Sequence, residues 1–288
     1  MTVVHLFPGQ GSQWVGMGRA LLASYPNLVR QADSVLGYSV AELCVEGPAE
    51  RLADTRYTQC AMYVVDVLSY IDAVRTGGEI PDLVAGHSLG EYAALFAAGV
   101  FDFRTGLEIV VKRAELMAAS GAGAMAAVIG LDEEAVRAVL ERTGRPVDIA
   151  NLNAPDQTVL SGPAEGMAEV SALAVEAGAT VVPLKVSGAF HSRWMAPAAA
   201  EFERFLSGYV LARPKIPVLA NTTARPHEQG ELAGALVRQF TQPVRWHESV
   251  EYCLGRPDAE LREIGPGTVL TGLTRRIVAA RREPAATR

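Results

Sequence analysis

Cysteine is scarce in this 288-residue chain. Cys44, Cys60 and Cys253 are odd in number and far apart, which argues against a disulfide framework or a cysteine-rich zinc site. A reducing cytoplasm is the default expectation. Aromatic residues are also few, at 7%, so small aliphatic side chains on closely packed helices must fill the core. No uncharged apolar run is long enough for a membrane-spanning helix. The opening Met1-Thr2-Val3-Val4-His5-Leu6-Phe7 lacks a basic flank and enters a strand pattern at once, so it does not read as a signal peptide. Positive charge is in deficit: the net charge is −6, which disfavours nucleic acid as a partner. What remains, 49% hydrophobic and 20% charged, is the balance of a folded soluble protein.

The length suits one large α/β domain carrying a smaller insertion. A strand over 3–7 ends in Pro8-Gly9-Gln10-Gly11-Ser12, a turn rich in breakers. Helical patterns follow over 13–24, 28–36 and 59–73, then a short strand over 83–86, and helices to Ala98 and over 103–119. The middle third reads strand 125–130, helix 133–142, strands 147–151 and 158–161, helix 164–177 and strand 180–185. That βαββαβ order is the ferredoxin-like split unit. Gly121-Ala122-Gly123 and Ser187-Gly188 punctuate its ends. The predicted layout is a large domain over 1–123 and 188–288, with a small subdomain over 124–187. A frayed tail is expected over 281–288.

Gly86-His87-Ser88-Leu89-Gly90 matches G-x-S-x-G between a strand and a helix, which is the context a nucleophile elbow requires. Glycines on both sides allow the sharp turn that presents Ser88 at a helix N-terminus, where developing negative charge is favoured. An ordinary N-cap serine is the plainer reading of the same five residues. A serine nucleophile needs a base. Among His5, His87, His191, His227 and His247, the first lies in a strand and the second diverges from its neighbour at the elbow. His191 stands in the junction loop Ser187-Gly188-Ala189-Phe190-His191-Ser192, facing the cleft between the two parts, while His227 and His247 stay open as alternatives. No aspartate presents itself as a third member.

The helix over 103–119 holds adjacent cations on different faces. Lys112 has Glu108 and Glu115 at helical spacing and belongs to a solvated face. Arg113 shares its face with Ile109, Val110, Leu116 and Met117. A guanidinium there is costly unless paired. On the residues alone, an internal ion pair to a carboxylate such as Glu91, or snorkelling to the surface, is favoured over a substrate carboxylate.

Taken together, Phe7-Pro8-Gly9-Gln10-Gly11-Ser12-Gln13, Gly86-His87-Ser88-Leu89-Gly90-Glu91-Tyr92, the loop from Gly188 to Ser192 and Ile264-Gly265-Pro266-Gly267 resemble the malonyl-CoA:acyl-carrier-protein transacylases and the acyltransferase domains of polyketide synthases. The resemblance covers essentially the whole chain. It implies a large α/β-hydrolase-like domain with a ferredoxin-like insert. It implies a ping-pong transfer of a malonyl group from malonyl-CoA to the phosphopantetheine thiol of an acyl carrier protein, with no bound metal or prosthetic group. By position, Ser88 would be the nucleophile and His191 the base, with backbone N–H groups of Gln10 and Leu89 as oxyanion hole. Arg113 would bind the malonyl carboxylate, which displaces the internal ion pair as the preferred reading. Gln59 would line the same pocket, and the backbone carbonyl of Gln242 would orient His191.

Leu89 after the nucleophile, and Phe190 in the loop, match the malonyl-selective pattern rather than the methylmalonyl one, whereas Gly188 departs from both. One methyl group is worth only about 1–3 kcal/mol of discrimination. Trp14-Val15-Gly16-Met17-Gly18 is similar to polyketide domains, while Leu89-Gly90-Glu91-Tyr92 and residues 268–276 resemble the fatty-acid enzyme. A start at Met1 immediately before the first strand suits a discrete acyltransferase serving a polyketide assembly line in trans. Carrier proteins are acidic, so a local basic rim must steer them; Arg193, Arg275 and Arg276 are the candidates. The rival readings are an acyl-carrier-protein thioester hydrolase, a transferase for another acyl unit, a generic esterase and a non-enzymatic docking module. No membrane contact is expected.

Overall fold

The computed structural model describes residues 1–282 except 187 and 229. Its strands are β1 (Thr2–Phe7), β2 (Leu83–Gly86), β3 (Ala124–Ile129), β4 (Asp148–Ala154), β5 (Gln157–Gly162), β6 (Thr180–Pro183), β7 (Val218–Ala220), β8 (Arg225–Pro226) and β9 (Ala259–Glu263). They form two sheets, ordered β8-β7-β2-β1-β9 and β4-β5-β3-β6. The chain is thus a mixed α/β protein.

The first sheet is parallel through β7, β2, β1 and β9, with β8 antiparallel at its edge. Its central strands are apolar apart from Thr2 and the buried His5 of β1, because helices cover both faces. Phe7, Val84 and Val218 face the principal core, whereas Val4, Leu6, Leu83 and Leu219 face a second cluster built around Trp246, Val250 and Ile277. Phe7 pairs in register with Gly86, so the carboxyl ends of β1 and β2 lie side by side. Parallel sheets place their ligands at such ends.

The second sheet is antiparallel throughout and has its own apolar layer, including Val128, Val136, Ile149, Leu160 and Val170. The sequence β3–helix–β4–β5–helix–β6 supplies it, with helices Glu133–Thr143 and Ala164–Glu176 on one side. It is sewn to the rest by backbone bonds from Leu152 N–H to Val244 O (2.9 Å) and from Val244 N–H to Ala150 O (2.9 Å).

Three local expectations need correction. The helix foreseen over 13–24 is confined to Arg19–Ser24, because Gly16 (φ 109°) and Gly18 (φ 69°) hold the preceding stretch in left-handed turns. Two short helices, Val40–Glu46 and Ala49–Ala53, escaped the periodicity reading. The last helix, Val269–Arg282, runs through the start of the expected frayed tail; residues 283–288 lie outside the described residues, as does Ser187 at the foreseen subdomain boundary. Among the described residues, no helix is long and apolar enough to cross a membrane.

Candidate active site

The elbow after β2 is possible only because its glycines carry no side chain. A Cβ on Gly86 would lie 1.9 Å from the Gly90 carbonyl carbon, and one on Gly90 would lie 2.1 Å from the Phe7 carbonyl oxygen. Ser88 at the apex adopts φ 53°, a left-handed conformation uncommon for a residue with a side chain. Asn221, immediately after β7, clamps the turn: its Oδ1 accepts from Ser88 N–H (2.7 Å) and its Nδ2 donates to Gly86 O (2.6 Å). Helix Gly90–Ala97 follows, so Ser88 sits at its N-terminal end.

His191 also has a left-handed backbone, φ 55°, and is 4% exposed. Its Nε2 lies 2.8 Å from Ser88 Oγ and its Nδ1 lies 2.6 Å from Gln239 O. A carbonyl can only accept, so Nδ1 carries the ring proton and the bare Nε2 accepts from the serine hydroxyl. The expected carbonyl of Gln242 is not the partner. Helix Leu232–Arg238 ends in a turn in which Gln242 N–H bonds back to Arg238 O, and the carbonyl aimed at the imidazole is three residues earlier. Burial, followed by the charge of Arg113, lowers the His191 pKa to about 3.

The other histidines have different surroundings. His87 turns away from Ser88 and donates from Nε2 to Asn153 Oδ1 (2.8 Å). His5 is buried in β1, and burial lowers its pKa to about 4. His227 donates from Nε2 to Glu91 Oε1 (2.7 Å) in a buried pair, and His247 lies 3.7 Å from Glu251 on the surface.

Arg113 is 1% exposed. Its Nη1 donates to Gln59 Oε1 (2.5 Å), and its Nη2 donates to Gln239 Oε1 (2.8 Å) and Ser88 Oγ (3.0 Å). The rings of Tyr92 and Phe240 flank it at 5.3 and 5.8 Å. None of its hydrogen-bond partners is a carboxylate, so the internal ion pair favoured by the residues alone is absent; Glu91 is engaged by His227 and Gln239 instead. Lys112 does occupy the outer face, paired with Glu201 rather than with Glu108 or Glu115.

Ser88, His191, Arg113, Gln59, Gln10, Leu89 and Phe190 together line a cavity of about 90 Å³, closed by Met117, Met125, Leu184 and Val186. Neither Gln10 N–H nor Leu89 N–H has an acceptor among the described residues, and Gln10 Nε2 is anchored to Thr55 Oγ1 (3.1 Å). Gly188 explains itself here: a Cβ on it would lie 2.8 Å from Phe190 Cε1, so only glycine leaves that ring its place in the wall. Arg193 and Arg276, named for steering, are bonded to Asp148 and Asp156, while Arg275 is exposed without an ion-pair partner among the described residues. No cluster of potential metal ligands occurs among the described residues.

Gln239 and Asn221 were not foreseen. Gln239 gives its backbone carbonyl to His191 and its side-chain oxygen to Arg113, while its Nε2 donates to Ser88 O (3.0 Å) and Glu91 Oε2. No sequence pattern distinguishes such a glutamine, and the carbonyl it presents belongs to every residue type.

The acyl transferase domain family matches residues 4–280. The polyketide biosynthesis malonyl CoA-acyl carrier protein transacylase BaeC of Bacillus velezensis is 48% identical over 278 residues, covering 96% of both chains. The polyketide biosynthesis protein ThaF of Burkholderia thailandensis is 50% identical over 95% of this chain, but the chain spans only 24% of that longer protein. The crystal structure of malonyl CoA-acyl carrier protein transacylase from Burkholderia pseudomallei superimposes with a TM-score of 0.94 at 46% identity, covering 99% of this chain and all of that one. A strained serine at a strand–helix elbow, bonded to a buried histidine inside this fold, agrees with those matches, and the chain belongs to the acyl transferase domain family.

Proposed function

We propose that this protein transfers a malonyl group from coenzyme A to the phosphopantetheine thiol of an acyl carrier protein, through an acyl-serine. The observation that carries this reading is Arg113: a fully buried cation, bonded only to neutral oxygens, 3.0 Å from the serine hydroxyl. Burying a charge without a counter-ion costs several kcal/mol. A substrate carboxylate entering beside the nucleophile would recover that cost. The names of BaeC and of the Burkholderia pseudomallei enzyme, both malonyl CoA-acyl carrier protein transacylases, support the same substrate and partner.

Ser88 Oγ attacks the thioester carbonyl while His191 Nε2 takes its proton. The tetrahedral oxyanion is received by the N–H groups of Gln10 and Leu89, which stand free at the ends of β1 and β2. The imidazolium then protonates the departing thiolate. The carrier thiol repeats the sequence in reverse. Gln239 O fixes the tautomer that leaves Nε2 bare, which is the work a carboxylate does in a triad. No metal or prosthetic group enters these steps, and coenzyme A is substrate only. Phe190 narrows the cavity where a second substituent on the acyl α-carbon would sit.

The finer architecture is read as an α/β-hydrolase-like domain over 1–123 and 188–288, with a ferredoxin-like subdomain over 124–187; the strand order β4-β5-β3-β6 supports the latter. The reading places the enzyme in the cytoplasm, as a discrete acyltransferase for polyketide synthesis, in line with BaeC. A hydrolase clearing stalled carrier thioesters would share Ser88 and His191 but has no use for Arg113.

The test is intact-protein mass spectrometry after mixing with malonyl-CoA. The wild-type chain should gain one malonyl adduct, and Ser88→Ala none. A full-occupancy adduct on Ser88→Ala would sink the assignment.

A further inference from the structure

Ser88 Oγ is held from two sides. It donates a hydrogen bond to His191 Nε2 at 2.8 Å and accepts one from Arg113 Nη2 at 3.0 Å. Binding a carboxylate does not require the guanidinium to touch the attacking oxygen. A cationic donor on that oxygen occupies one of its lone pairs and makes it a weaker nucleophile. The same cation also opposes the positive charge that His191 must acquire when it takes the serine proton.

We infer that Arg113 restrains the dyad in the free enzyme, and that the terminal carboxylate of the incoming acyl group lifts the restraint by drawing the guanidinium away from Ser88 Oγ. The inference rests on the reading of Arg113 as the carboxylate's partner and adds a kinetic role to it.

No carboxylate around the dyad bonds to the guanidinium, and Glu91 acts on it only through space. On the elbow, His87 is directed at Asn153. On the helix after it, Glu91 is the nearest buried carboxylate, but His227 and Gln239 hold its oxygens. Gln239 stands between the two charges, donating to Glu91 and accepting from Arg113, so they never meet. Tyr92 and Phe240 flank the cation with their rings. The histidine responds accordingly: burial first, then Arg113, depresses its basicity in the unliganded site.

When a carboxylate pairs with Arg113, the local charge falls by one, the oxygen's lone pair is freed and imidazolium formation is no longer opposed. The step itself is unchanged. The Oγ–carbonyl carbon bond forms and the carbon–sulfur bond breaks, while the proton passes from Oγ to Nε2 and on to the leaving sulfur. A neutral acyl group that fits the cavity is therefore slowed twice, by an unpaired cation beside it and by a nucleophile still restrained.

The experiment is single-turnover acylation of Ser88 by saturating malonyl-CoA or acetyl-CoA, with pH jumps, rapid quenching and intact-mass detection. In the wild-type protein, the acid limb of the malonyl complex should lie about one pH unit or more above that of the acetyl complex. In Arg113→Gln the acetyl limb should rise by about one pH unit, toward that of the wild-type malonyl complex, and acetylation at neutral pH should become about tenfold faster. Coincident limbs in the wild type would overturn the inference without any variant. If Arg113→Gln loses malonylation while its acetylation rate and profile stay as in the wild type, Arg113 is a clamp only: the proposed function stands and the restraint falls. Undiminished malonylation in Arg113→Gln would remove the clamp itself.

Discussion

Two buried charges lie on either side of Gln239 and are treated in opposite ways. Glu91 is matched: His227 and Gln239 donate to it, and Asn221 N–H points at it from 3.4 Å. Arg113 receives only amide and hydroxyl oxygens. A charge closed by its own fold contributes to structure, since removing either partner strands the other in a dry interior. A charge left with neutral partners keeps its affinity for a counter-ion from outside. On the proposed function, the difference separates a structural acid from a substrate-binding cation within a single hydrogen-bonded network.

Replacing the open charge should show the largest effect. Arg113→Ala should lose malonyl transfer by about two to three orders of magnitude, the equivalent of about 3–5 kcal/mol for an unmatched buried pair. It should also remain folded, because the cation was a burden in the free protein. Values of kcat/KM for malonyl-CoA, with circular dichroism as control, decide this. Malonyl preference persisting in a folded variant would make Arg113 a structural residue like Glu91.

Replacing the closed pair should do the reverse. His227→Ala leaves Glu91 buried without its histidine and should lower stability by about 3–5 kcal/mol. The fraction that stays folded should still form the acyl-serine. Chemical denaturation midpoints beside mass-spectrometric acylation would separate the two. If stability were unchanged while acylation vanished, the contrast drawn here would be inverted.

A third buried ionisable group sharpens the comparison with a smaller effect. Asp66 is fully buried, and neither of its carboxyl oxygens has a hydrogen-bond partner among the described residues. Burial, then Glu263, raises its pKa well above the ordinary 3.8. The native state therefore keeps a proton that the unfolded chain gives up, so stability must fall as pH rises through and beyond that ordinary value. Asp66→Asn removes the linkage. Its advantage over the parent should be near nil at about pH 4 and grow by at most about 1.4 kcal/mol per pH unit above that. Equal denaturation midpoints at mildly acidic and mildly alkaline pH would show that Asp66 ionises freely in the fold.

The sequence disclosed most where chemistry is local. The elbow announced itself because strand, glycines, serine and helix are contiguous. The small sheet was legible from its element order, and helix Phe103–Ala119 from its period; the Asp102 cap, whose Oδ1 accepts from Thr105 N–H at 2.8 Å, was overlooked. His191 was not singled out by its residues alone, since its partnership with Ser88 spans 103 positions and depends on how two loops meet. The orienting carbonyl was misplaced from Gln239 to Gln242 because backbone groups leave no mark in a sequence and the turn that selects between them is set by packing. Asn221 went unseen for a related reason: its clamp on the elbow exists only once β7 lies beside β2.

The pairing of Phe7 with Gly86 carries one more consequence. The N–H groups proposed for the oxyanion belong to Gln10 and Leu89, in the loops that leave those two neighbouring strands. The roots of those loops are held side by side at the inter-strand spacing of a parallel ladder, about 4.8 Å. Both loops are thus rooted in the central sheet rather than in a separate flap. On heating, the capacity to form the acyl-serine should persist undiminished until the central sheet itself melts, so that loss of acylation and loss of the far-ultraviolet signal fall on one curve.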